Sequence, residues 1–101
     1  MVTSYFPGRI RLRAEVFKDS VIVERCLAIL KQSDAVKNVE NNLRTGSVLL
    51  EYDEERVPMD KLKPLKPFFE KLRSVAIVYT SKKQKEILDM LDEFDAIVKT
   101  W

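Results

Sequence analysis

Two apolar runs flank a polar break between Ala35 and Asp53. Val36, Val39 and Leu43 carry apolar groups toward the break, and Val48, Leu49, Leu50 and Tyr52 carry them away from it. Arg44-Thr45-Gly46-Ser47 lies between the runs. Gly46 adopts φ > 0 without steric cost, so the stretch predicts a β-hairpin closed by a short turn. Upstream, Pro7-Gly8 is a turn signal. From Arg9 to Phe17, Ile10, Leu12, Ala14 and Val16 then alternate with Arg9, Arg11, Arg13 and Glu15. Period-two alternation predicts a strand with one buried face and an arginine face on the open side of the sheet. Val23, Cys26, Leu27 and Leu30, with Ile22 and Ile29 alongside, predict an amphipathic helix from Val21 to Gln32, N-capped by Asp19 or Ser20.

Downstream of the hairpin, Leu62, Leu65, Phe68, Phe69 and Leu72 keep helical spacing, with Pro58 suited to the first turn and Asp60 beside it. Pro64 and Pro67 interrupt this pattern, so a short helix is expected to be kinked or broken there and to resume through Phe68 to Leu72. Ser74–Thr80, SVAIVYT, is rich in β-branched residues and predicts a fourth strand. Ser81 then caps a last helix from about Lys82 to Lys99, with Ile87, Leu91, Phe94 and Val98 on one stripe. Its basic start and acidic middle oppose the helix dipole, so its stability must come from packing that stripe.

The expected architecture is therefore α+β: a ferredoxin-like βαββαβ sandwich over residues 1–80, with two helices on one face of a four-stranded antiparallel sheet. Residues 81–101 form an additional C-terminal helix. Leu49, Ala76 and Val78 fall on the open side of that sheet, and the last helix is expected to cover them, in its own chain or on a neighbour.

Composition narrows the function classes. A chain of 101 residues fits one domain, and 46% hydrophobic with 34% charged residues is a globular balance. Eighteen basic and 16 acidic residues give a net charge of +2, no strong pull toward nucleic acid or membrane. No apolar run approaches the ~20 residues of a membrane span, and no signal peptide is visible. A single cysteine excludes an intramolecular disulfide and suits a reducing cytoplasm. Histidine is absent, which removes the commonest general base and the commonest metal ligand.

The run from Ala35 to Leu65 contains Val36, Val39, Asn42, Thr45, Gly46, Ser47, Val48, Tyr52 and Asp53 in the pattern V-x-x-V-x-x-N-x-x-T-G-S-V-x-x-x-Y-D. It resembles the heavy-metal-associated domains of copper chaperones and metal-transporting ATPases. The start Pro7-Gly8-Arg9-Ile10-Arg11-Leu12-Arg13 is similar to a variant branch of that family that lacks the cysteine pair. The resemblance implies a metal loop between the first strand and the first helix, where the family carries C-x-x-C. Two thiolates there bind a soft cation such as Cu(I). The matching place here is Lys18 to Val23, with Asp19 and Ile22 near the cysteine positions. Neither is a soft ligand, so the metal chemistry does not carry over.

The remaining candidates are surfaces. Arg9, Arg11 and Arg13 form a basic row on the open sheet face. They are expected to be solvated, or neutralised by Glu51 and neighbouring acids. RNA binding is disfavoured because no stacking aromatics are expected beside them. Cys26 is expected to be a buried structural thiol; it and the carboxylates are the groups through which any metal would bind. The acidic clusters Glu51-Asp53-Glu54-Glu55 and Asp89-Asp92-Glu93-Asp95 lack the spacing of a calcium loop. No nucleophile stands beside a base, so neither catalysis nor a cofactor is expected. The sequence thus points to an interaction module that binds a protein partner or a second copy of itself. Arg9, Arg11, Arg13, Leu49, Val78, Ile87, Leu91, Phe94 and Val98 are its candidate surface. The alternative is an accessory domain in metal transport or homeostasis that binds metal weakly or with a partner.

Overall fold

The computed structural model describes residues 1–101 throughout. Strands β1 (Val2–Phe6) and β2 (Arg9–Arg13) come first, then helix α1 (Ser20–Lys31), then strands β3 (Val36–Asn42) and β4 (Ser47–Tyr52). Helices α2 (Met59–Leu62), α3 (Leu65–Ala76) and α4 (Gln84–Val98) complete the chain. The strands form one antiparallel sheet in the order β1-β2-β4-β3.

Both hairpins turn on a glycine with positive φ: Gly8 at 87° between β1 and β2, and Gly46 at 69° between β3 and β4. At Gly46 a second constraint applies, because a Cβ there would lie 2.2 Å from the carbonyl oxygen of Ala14. Asn42 builds the same turn. Its Oδ1 accepts from the amides of Arg44 (2.9 Å) and Thr45 (3.4 Å), and its carbonyl accepts from Gly46 N (2.9 Å). Thr45 and Ser47 share a hydroxyl–hydroxyl bond of 2.7 Å. The polar letters of the N-x-x-T-G-S motif are thus turn-forming residues.

The α+β class, the four-stranded antiparallel sheet, the helices packed on it and the final helix are as expected. The source of the fourth strand is not. Ser74, Val75 and Ala76 finish α3, and Ile77 keeps helical dihedrals (φ −58°, ψ −34°). Leu65, Phe68, Leu72 and Ala76 continue one buried stripe at helical spacing, and that packing overrides the β propensity of SVAIVYT. The place beside β2 is taken by β1, which the sequence pattern did not mark. Three boundaries also differ. The strand from Arg9 stops at Arg13, and Glu15–Lys18 forms a 3-10 turn that buries both Val16 and Phe17, where alternation would bury one. Pro58 and Pro64 precede α2 and α3 as N-caps, and Pro67 sits in the first turn of α3, where its missing N–H is not needed. Ser81 opens a 3-10 turn, not the helix itself.

Ile10, Val48, Leu50 and Tyr52 point from the sheet into the core, which the helices cover. α4 contacts both α1 and α3, and Phe94 stacks on Phe68 with ring centroids 5.6 Å apart. Ile87, Leu91, Phe94 and Val98 are all buried in this core. They fill the interior of their own chain and do not form an exposed surface. Nor does α4 cover the open sheet face, since its buried stripe shares one cluster with the opposite face.

Candidate functional site

The segment that joins β2 to α1 occupies the place where the resemblance implies a metal loop. Ala14 leaves the strand extended, and the 3-10 turn then carries the chain to Asp19, the N-cap of α1. The hairpin turn docks onto this segment. Ala14 N donates to the carbonyl of Gly46 (3.0 Å), and Arg13 Nε donates to the carbonyl of Thr45 (3.2 Å).

Asp19 receives four donors. Its Oδ1 accepts from the amides of Val21 (2.9 Å) and Ile22 (3.4 Å), orphan donors of the first helical turn. Its Oδ2 accepts from the Tyr79 hydroxyl (2.5 Å) and from Gln84 Nε2 (2.9 Å). A carboxylate has about four lone-pair sites, so this one is saturated. Burial acts to raise its pKa, but the bonds from Tyr79, Gln84 and the two amides prevail and hold it below the ordinary value. Tyr79 shifts the other way, to about 12, through burial first and then through its bond to the Asp19 charge. Asp19 therefore ties the start of α1 to the link after α3 and to the first residue of α4. The sequence marked Asp19 as a cap. Tyr79 and Gln84 carried no signal, because they lie 60 and 65 residues away.

Ile22, near the other cysteine position, is buried in the core. Cys26 lies one turn further along and is buried too; burial pushes its thiol up to about 12, against a small opposing effect of the Arg25 charge. No group of three or more Cys, Asp or Glu side chains comes together here as a metal-holding set.

Elsewhere the candidate residues separate. Cross-strand register places Arg9 opposite Glu51, Arg11 opposite Leu49 and Arg13 opposite Ser47, so the basic row does lie on the open face. None of the six ion pairs involves these arginines. Glu51 instead accepts from Asn38 Nδ2 (3.3 Å), and Arg9, Arg11 and Arg13 are all exposed, so of the two expectations for this row the solvated one fits and the neutralised one does not. Leu49 is on that face but only 8% exposed, flanked in register by Arg11 and Glu40. Val78 is not in the sheet at all: it stands 68% exposed on the link between α3 and α4, beside Ile77 at 74%. Three acids of α4 pair with neighbouring helices or their own, with Asp92 and Asp95 near Arg25, Glu93 on Lys71 and Asp95 on Lys99, whereas Asp89 is exposed and forms no ion pair. No helix is long and apolar enough to cross a membrane.

Comparison with known proteins agrees with this geometry on one point. Neither a curated protein nor a solved structure matches the chain. A family model described as heavy metal associated domain 2 matches residues 1–99, which takes in both hairpins, the Asp19 joint and α4. With that match over nearly its whole length, the chain belongs to the heavy metal associated domain 2 family.

Proposed function

We propose that this chain is a non-enzymatic interaction module of the cytoplasm, acting through its surfaces and not through a thiolate metal site. The observation that carries the reading is the saturated carboxylate of Asp19. Where the resemblance implies a metal-binding pair, this chain places a side chain whose lone pairs are committed to α1, Tyr79 and Gln84. A metal ion would have to displace those donors. Cys26 offers little instead: it is a lone thiol, buried in the core, and that burial pushes its pKa up, away from the thiolate that acts as a ligand. Among the exposed groups, Arg9 and Arg11 form no ion pair and Phe6, Ile77 and Val78 present apolar surface to solvent, which supports recognition of another macromolecule.

Titration of the wild type, Cys26→Ala and Asp19→Asn with Cu(I) and with Zn(II) tests the reading. Expected is no tight stoichiometric binding of either metal by any of the three. Tight binding that disappears in Cys26→Ala would instead support the accessory role in metal handling.

A further inference from the structure

The two edges of the sheet are built differently. β3 reads VKNVENN, with Lys37, Glu40 and three asparagines, the kind of polar edge that discourages strand addition. β1 reads VTSYF, with no charge and no proline. Val2, Tyr5 and Phe6 on it are exposed, and its outer side has no neighbouring strand. Beside β1, on the helix side, runs an open groove of about 480 Å³, walled chiefly by Val2, Tyr5, Met59, Leu62, Leu65 and Phe69. On the opposite face, register sets Phe6 against Arg9 and the small Ser4 against Arg11, so both arginines lie one strand in from the edge without a carboxylate partner.

We propose that β1 accepts an added strand from another protein, an extended segment whose residues alternate between apolar and acidic. This rests on the reading of the chain as an interaction module and names the class of partner. A strand laid along β1 sends alternate side chains to the two faces. One set enters the apolar groove. The other lies over the open face, where Ser4 leaves Arg11 room to reach outward. A second copy of this chain fits less well: its own β1 has no acidic residue to offer, and it brings another arginine row to the same face.

The test uses the full chain and fluorescein-labelled octapeptides of alternating Val and Glu, alternating Val and Lys, and Val-Glu with a central proline. The expected result is binding of the Val-Glu peptide about ten-fold or more tighter than of the other two at low salt. NMR amide shifts should centre on residues 2–6. Arg11→Glu, at an exposed position, should reverse the preference between Glu and Lys, and Met59→Asp in the groove wall should weaken both. Equal affinities, no binding, shifts centred elsewhere, or a wild-type dimer dissolved by Val2→Lys would each overturn the proposal. Peptide silence with metal silence removes this docking mode alone, whereas tight Cu(I) binding removes the interaction reading beneath it.

Discussion

At Asp19 one side chain serves two purposes: it caps a helix, and it anchors the link that precedes α4. Asp19→Ala should cost about 2 kcal/mol in urea unfolding at neutral pH, roughly half from the lost cap and half from donors left without a partner. The pH dependence follows from the lowered pKa. A depressed carboxylate contributes stability that is present above its unfolded value, near 3.8, and is lost as pH falls through the folded value. The gap between wild type and variant should therefore narrow on acidification below about pH 4. Gly46→Ala should be costlier than a simple turn substitution. The left-handed φ alone costs about 1–2 kcal/mol, and the new methyl also meets backbone at Ala14, which cannot swing aside. Thermal melts of Gly46→Ala beside Gly8→Ala, where the nearest atom is 3.2 Å away, should show the larger loss at Gly46. Cys26 should react with a thiol reagent only as fast as the protein opens, so its labelling rate should track denaturant-induced unfolding.

Among the elements, α4 bears the most direct test of the core. Four of its apolar side chains are buried. At about 1.5–3 kcal/mol each, they represent a gross burial of roughly 6–12 kcal/mol, as large as the whole net stability of a typical domain. A chain ending at Thr80 should therefore fail to fold, seen as loss of dispersed amide resonances. Leu91→Ala alone should cost about 2–5 kcal/mol. The helices were legible because their apolar spacing survives every local irregularity. The β3–β4 hairpin was legible because Gly46 and Asn42 act within a few residues of each other. The fourth strand was not. VTSYF is short, mostly polar and interrupted by a bulge between Val2 and Ser4, so it has no clean alternation. SVAIVYT looked like a strand because it is rich in β-branched residues, yet Leu72 and Ala76 hold its first three residues on the helical stripe and the rest forms the link to α4. The candidate site divides the same way. The Asp19 cap is a local pattern, whereas its bonds to Tyr79 and Gln84 depend on how distant elements dock.

For the molecule as a whole, the sheet has a firm middle and one thin margin. β2 and β4 are paired on both sides, and β4 is buried at Val48, Leu49, Leu50 and Tyr52. Native-state hydrogen exchange should be slowest in β4 and α1 and fastest at β1 and across residues 77–83. Addition of an acidic strand peptide should slow exchange in β1 first. The Pro7-Gly8 turn has a kinetic consequence as well. A sheet completed by the last strand of a chain waits for its two ends to meet, a slow search. Here the outermost ribbon folds back across two residues, so every strand pairing but that of β2 with β4 is between neighbours in sequence. The slow, long-range step is left to the docking of α4, and substitutions in that helix should govern how quickly the chain completes its folding.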